Sequence, residues 1–365
     1  MGNERMMEKP SHELRVLALP LYGTLAASTR HRISYFKPGL MDHGIEVDVA
    51  PLLDNNYLTN RFGSGSIHFG SVAGGYWRRL LTFIRQRKYD CVWVQGELSP
   101  LVPGWIEAAL LSAPFVFDFD DAFPLKYRLA GGIKAKILGN KFAPVLRKAA
   151  ISVPGNKVLA EMAKGLAQDI RIVPTVVDHT RYLPAIGSGG NGYFNVGWIG
   201  SPSSIRCLRV VEDALAQLAQ ESPVRLTVVG GVAPAVPGVE VVNIPWSEDT
   251  EVDLIRTFDV GIMPLEDDPW TRGKCAFKLI QYMACGVPAI GSPVGANIEV
   301  LDDGAGLLAN GTGQWLASLR ALRDDPALGA RMGTVGRAKV AAQYSLASQL
   351  PVYEQILRDA ANKAQ

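Results

Sequence analysis

The stretch from Asp267 to Glu299, DDPWTRGKCAFKLIQYMACGVPAIGSPVGANIE, is the part of the chain richest in usable chemistry. Lys274, Lys278 and Gln281 follow one another at intervals of four and three, which on a helix brings the three side chains to one side. An apolar strand, DVGIMP, ends just before them. Arg272, Gly273 and Lys274 therefore belong to a loop at a strand's carboxyl end, and Cys275, Ala276 and Phe277 lead into the helix. A helix start offers free N–H groups and a positive dipole end; with two cations added it makes a site for a diphosphate. Gln281, one turn deeper, can both donate to and accept from a ribose hydroxyl. The following GVPAIGSPVGANIE repeats the pattern, with a short buried strand, a glycine turn and a second helix start near Ala296 that puts Glu299 in its first turn. The plainer reading makes the lysines solvated charges on a helix face and Glu299 a favourable charge beside a dipole.

Carboxylates gather elsewhere. Glu97 follows the apolar CVWVQ, and Asp120 and Asp121 follow FVFDF. Such groups can accept sugar hydroxyls or assist an acceptor. Asp118 with Asp120 also reads as a metal-binding Asp-x-Asp pair, or as the end of a strand and a helix cap. Arg30, His31 and Arg32 come after the first strand, where a loop can present them to an acceptor, although a solvated first helical turn reads the same way. Trp198, Trp246 and Trp270 are expected in the core or in a cleft wall. Gly230-Gly231 lacks the spacing of a dinucleotide fingerprint.

The elements that must position these residues form a parallel pattern: short apolar runs bounded by turn residues, alternating with helical stretches. Strands are expected at Arg15–Pro20, Glu46–Ala50, Cys91–Gln95, Phe115–Phe119, Ile151–Pro154 and Arg171–Val173, with helices at Arg30–His43, Tyr76–Arg87 and Gly104–Leu111. A turn-rich text, DHTRYLPAIGSGGNG, then interrupts the series. A second series places strands at Asn195–Ile199, Arg225–Val229, Val239–Ile244, Val260–Met263 and Pro288–Gly291. Its helices are expected at Ile205–Gln220, Thr250–Thr257, Phe277–Ala284, Gln314–Arg323 and Gly329–Gln343. The resulting division is an N-terminal domain 1–178, a linker 179–192, a donor domain 193–345, and a C-terminal helix 346–365 packing back on the first domain. Two parallel sheets facing each other leave a cleft at the carboxyl ends of their strands, where such sheets bind ligands.

Bulk properties limit the alternatives. The 365 residues are 48% hydrophobic and 20% charged, with a formal net charge of +2, which describes a globular chain with real cores and gives no argument for a nucleic-acid partner. Four scattered cysteines, with no two-residue spacing, read as reduced thiols. The opening MGNERMMEKPSHEL is charged and lacks a signal peptide's apolar stretch, and no run of about 18 apolar residues occurs. A cytoplasmic location is expected, with peripheral contact to the inner membrane leaflet through the basic stretches at 77–88 and 134–148.

YMACGVP and Gly295–Glu299 closely resemble the signature of group 1, or family four, glycosyltransferases of the GT-B fold. VGWIGSPSS at 196–204, VPTVVD at 173–178 and VFDFDDAF at 116–123 resemble further parts of that family, so the resemblance extends over nearly the whole chain. It implies two facing Rossmann-like domains with an interdomain cleft. It also implies retaining, metal-independent transfer of a hexose from a nucleoside diphosphate sugar to an acceptor hydroxyl, on a sugar or a lipid-linked acceptor, in bacterial polysaccharide or glycolipid assembly. The family's phosphate-binding Gly-Arg and downstream Lys correspond to Gly200-Ser201 and Arg206, so Lys274 and Lys278 supply the replacement cations. Its two glutamates, eight positions apart, correspond to Gly273 and Gln281. A nucleotide-sugar 2-epimerase and a non-catalytic nucleotide- or glycan-binding relative are the competing readings.

Overall fold

The computed structural model describes residues 14–63, 69–187 and 192–363; the N-terminal stretch and part of the expected linker lie outside them. The chain divides into two compact units, one of residues 1–174 with 349–365 and one of residues 175–348.

Unit 1 is built on five parallel strands, β1 (Leu14–Pro20), β2 (Ile45–Val49), β3 (Cys91–Gln95), β4 (Phe115–Phe119) and β5 (Ile151–Pro154), in the order β2-β1-β3-β4-β5. β3, β4 and β5 are buried along their whole length, which explains their unbroken apolar text. Unit 2 has six parallel strands, β6 (Phe194–Ile199), β7 (Val224–Val229), β8 (Val239–Ile244), β9 (Val260–Met263), β10 (Ala289–Gly291) and β11 (Leu307–Leu308), in the order β11-β10-β9-β6-β7-β8. In this second sheet the chain leaves β6 toward β7 and β8 on one side and later returns to place β9, β10 and β11 on the other. The order reverses between β6 and β9, and the crevice outside the carboxyl ends at such a point is where open α/β sheets hold ligands.

Several elements differ from their sequence expectations. Arg171–Val173 is not a strand: its amides reach Ser152 and Pro154 carbonyls, but only an isolated bridge from Ile170 forms, and Pro174 ends the pairing because it has no N–H to give. The helix expected at Arg30–His43 is a π-helical turn over Arg30–Ser34 followed by a helix over Phe36–Asp42. Ile205–Gln220 is a 3-10 stretch, Pro202–Val210, followed by a helix, Glu212–Ala219. The helix Lys157–Ala163 and strand β11 were not anticipated. Part of the turn-rich text also packs rather than links, since Tyr182 is buried in the core of unit 2.

Candidate functional site: a cationic crevice at the switch point of unit 2

The crevice is set up by glycines on the strands and by one tyrosine. Gly261 in β9 faces Tyr282 of the helix Phe277–Ala284, and a β-carbon there would lie 2.3 Å from the ring. The ring fits only because that carbon is missing. Tyr282 Oη accepts from the Ile199 amide at 3.0 Å and donates to the Ile262 carbonyl at 3.3 Å, tying β6 to β9 beside the point where the order reverses. At the end of β6, a β-carbon on Gly200 would lie 2.6 Å from Lys278 Cε and 2.7 Å from the Trp198 ring. Gly230, at φ 84° after β7, crowds the Gly200 carbonyl in turn. Bare backbone thus lines the space beside a lysine.

Lys278 crosses this space with its ammonium 5.0 Å from the centre of the Trp198 ring. Burial, with a smaller repulsion from Lys274, pushes its pKa down from 10.5 to about 8. Lys274 lies over Trp270, 5.4 Å from the ring centre. Cys207, buried in the 3-10 stretch after β6, feels the positive charges of Lys278 and the exposed Arg206. Ala276, at φ 54° and ψ 24°, turns the chain left-handed just before the helix, an uncommon conformation for a residue with a β-carbon that holds Cys275 and Phe277 at a tight entry. Gly295, at φ 56°, brings the second glycine turn against the backbone of Arg272. Arg272 and Gly273 sit in a short 3-10 turn.

Other expected donor residues have different surroundings. Gln281 is 3% exposed and donates to Tyr182 Oη at 3.1 Å. That hydroxyl donates to Glu251, which also accepts from the Trp246 indole at 2.8 Å, so the Gln281 amide nitrogen serves a buried network rather than an open ribose site. Arg272 is exposed and forms a two-bond fork with Asp267 at 2.5 and 2.9 Å. Glu299 lies in the five-residue helix Ala296–Val300, and its carbonyl accepts from Lys339 at 2.7 Å.

Unit 1 corrects three expectations. Glu97 is fully buried, and its carboxylate meets Lys126 and Tyr127 at 2.5 Å and Lys141 at 3.1 Å. These partners hold its pKa below the ordinary carboxylate value in spite of burial. It is a structural ion rather than a catalytic one. Arg32 is also fully buried; its guanidinium bonds Asp118 at 2.8 Å and the Val173 carbonyl at 2.6 Å. Asp118 accepts in addition from the Trp93 indole at 3.1 Å and Tyr353 at 2.5 Å, so neither half of that pair is open to a metal or an acceptor. Arg30 is buried and donates to the Thr24 and Leu25 carbonyls, and His31 is buried with its ring edge-on to Tyr35. Asp120 and Asp121 are partly exposed. Burial, opposed by Arg32 and reinforced by Asp121 and Asp118, raises Asp120 to about 6.

Tyr282 and Trp198 matter more than the sequence reading granted. The signal available was the pairing of large aromatics with strand glycines, Tyr282 with Gly261 and Trp198 with Gly200. Among the described residues no three His, Cys, Asp or Glu side chains cluster as metal ligands would, and all four cysteines are free thiols.

Two parallel α/β units of this kind form the fold of GT-B glycosyltransferases, as solved structures show. The chain superposes on HepE from Anabaena in complex with UDP and glucose with a TM-score of 0.67 at 15% identity, covering 94% of this chain and 99% of that one. Sucrose-phosphate synthase from Thermosynechococcus elongatus gives 0.71 at 16% identity, covering 96% and 100%. A glycosyltransferase from Rickettsia africae gives 0.62 at 12% identity, covering 95% and 98%. Residues 194–325, the part that builds the crevice, match the family model described as glycosyl transferases group 1. Unit 2 therefore carries a group 1 glycosyltransferase domain. No curated protein matches the sequence.

Proposed function

We propose that the chain is a retaining hexosyltransferase that takes its donor, a nucleoside diphosphate sugar, into the crevice of unit 2 and passes the sugar to an acceptor hydroxyl. The observation that carries this reading is Lys278. A desolvated ammonium held over an aromatic ring beside bare glycine backbone is poorly served by its own protein, and an incoming diphosphate restores what burial removed. As the glycosidic bond breaks, negative charge builds on the leaving diphosphate, and fixed cations that need no reorganisation stabilise that state most. Lys278, Lys274 and Arg206 supply this charge, with the helix start at Phe277 and the Ser201 amide; the Gly200 amide is taken by the Val229 carbonyl at 2.9 Å. HepE has been solved with UDP and with UDP-glucose, which makes a uridine donor the first to try. Retention of configuration, independence from metal and a role in bacterial polysaccharide or glycolipid assembly belong to the proposal through the family resemblance.

An anionic membrane surface is the proposed location of the acceptor. On the helix Phe69–Arg85, Phe69, Trp77 and Ile84 are 87%, 62% and 71% exposed, with Arg85, Arg87 and Lys88 beside them. On Gly132–Leu138, Ile133 and Ile137 are exposed between exposed Lys134 and Lys136. Bare apolar side chains among cations suit the headgroup boundary of a bilayer. Lys141, expected to join this face, is buried against Glu97 and Glu107 and cannot. No helix among the described residues is long and apolar enough to cross a membrane.

The test is incubation with a panel of UDP- and GDP-sugars in excess chelator, with and without lipid-linked and soluble acceptors, followed by NMR of the product anomer. Nucleotide release that depends on acceptor, with the donor's configuration kept, is expected. Release with an altered free sugar and no acceptor would establish an epimerase instead.

A further inference from the structure

Unit 1 holds a feature that the donor crevice does not explain. Arg79, on the inner side of the helix Phe69–Arg85, is 3% exposed, and its Nη2 donates to the carbonyl of Pro20, at 2.7 Å, at the end of β1. Its Nε and Nη1 are buried and have no hydrogen-bond partner among the described residues. The side chain lines a cavity of about 270 Å³ between this helix and the loop after β2, along with Pro51, Asp54, Arg78, Thr82 and Arg85. The walls are held close together, because Gly75 packs so tightly on the Leu52 carbonyl that a β-carbon would lie 2.3 Å from it.

A buried guanidinium with idle donors is a standing cost, since charged donors left unsatisfied lose their hydration without replacement. Desolvation is strong enough to pull the Arg79 pKa down to about 9. The lining carries three guanidiniums against one carboxylate, and that carboxylate, Asp54, lies 3.4 Å from Arg78 on the rim. The excess among the lining charges is positive, and Glu107, whose charge reaches Arg79, is not part of the lining. Guanidinium forks match the oxygens of a phosphate two at a time, whereas the Thr82 hydroxyl on the same wall already donates to the Arg78 carbonyl at 2.8 Å and offers only an acceptor.

We propose that this cavity is a second anion site that takes a phosphate group, with Arg79 at its floor and Arg85 and Arg78 at its rim. The phosphate comes either free in solution or as the headgroup of a lipid; the exposed Trp77 and Ile84 on the same helix place the cavity beside the surface suited to a bilayer.

The test uses the full chain carrying Lys278→Met, so that the donor crevice does not compete for the probe. Titration calorimetry with inorganic phosphate at constant ionic strength should show saturable binding at one phosphate per chain. Arg85→Ala should weaken it several-fold and Arg79→Met at least ten-fold. Arg79→Met keeps the side-chain volume, and circular dichroism checks its fold; if it does not fold, Arg85→Ala and Arg78→Ala carry the test. Sedimentation with vesicles of phosphatidic acid against phosphatidylcholine separates the two sources: binding lost with Arg79→Met assigns the lipid headgroup, while phosphate binding without it assigns a soluble ligand. Phosphate binding that is absent, or that is unchanged by all the substitutions, would overturn the proposal.

Discussion

Replacing Lys278 by methionine should make the protein more stable and worse at binding nucleotide, a combination expected of a residue held in place for a ligand. Its pKa falls from 10.5 to about 8 on folding, so protonation is disfavoured in the folded chain. At 1.36 kcal/mol per unit this is about 3 kcal/mol, reduced to about 2–3 because the side chain is only partly buried by area. The attraction to Trp198 returns about 1 kcal/mol, so the variant should gain about 1–2 kcal/mol at pH 7. The sign of the pH dependence follows from the direction of the shift. Below pH 8 the lysine is charged in both states and the cost is complete; between 8 and 10.5 the folded chain has released a proton that the unfolded one keeps, and the cost fades. The advantage of Lys278→Met in urea denaturation should therefore be full at pH 7 and nearly gone by pH 10.5. Calorimetry with UDP and GDP should show a loss of about 1.5–3 kcal/mol for the preferred nucleotide, roughly 10- to 150-fold, the range for a hydrogen bond to a charged group. A variant less stable than wild type at pH 7, or one that binds nucleotide unchanged, refutes the argument.

Asp118→Asn should cost about 3–5 kcal/mol in urea denaturation because it leaves the buried Arg32 without its counter-charge; a loss under 1 kcal/mol would mean the pair is dispensable. Asp120→Asn should stabilise the protein by about 1–2 kcal/mol above pH 6 and have no effect below pH 4, since ionising a carboxyl raised to about 6 from 3.8 costs the fold increasingly between those values and fully above them. An equal effect at both ends would remove desolvation as the cause. Gly261→Ala should impair folding or the crevice, because its β-carbon meets the Tyr282 ring; wild-type stability and nucleotide affinity would show that the ring can yield. Trp77→Glu with Ile84→Glu should abolish sedimentation with vesicles rich in acidic lipid, while nucleotide affinity stays at the wild-type level; unchanged partitioning would remove that helix face from the membrane.

What the sequence disclosed and what it hid divide along physical lines. Runs such as CVWVQ and FVFDF announce strands because a parallel sheet buried on both faces asks only for apolar, β-favouring residues in a row, and the structure has both. The Lys274–Lys278 interval was only half a guide: the helix begins at Phe277, so helical period places Lys278 but not Lys274, which lies before it in extended backbone. Charged side chains under cover follow no interval. Glu97 looks like a catalytic group at a strand's end until Lys141, 44 positions on, is found against it. Arg32 looks like an acceptor contact until the fold brings Asp118 to it, 86 positions away.

The same limit explains Arg79, which reads in WRRLLTFIRQRK as one more surface cation. Arg32 and Arg79 are both buried arginines of unit 1, yet they lead to opposite conclusions. Arg32 has a carboxylate at 2.8 Å and serves the fold. Arg79 has only a carbonyl, an open cavity and two idle nitrogens. A buried ion that the chain pairs and hydrogen-bonds explains itself as structure, whereas Arg79 feels the charge of Glu107 without a hydrogen bond to it, and its unbonded donors leave a cost that a ligand can remove. By that criterion Lys278 and Arg79 mark the proposed anion sites, one in each unit, whereas Glu97 and Asp118 already have cations of the chain itself against them.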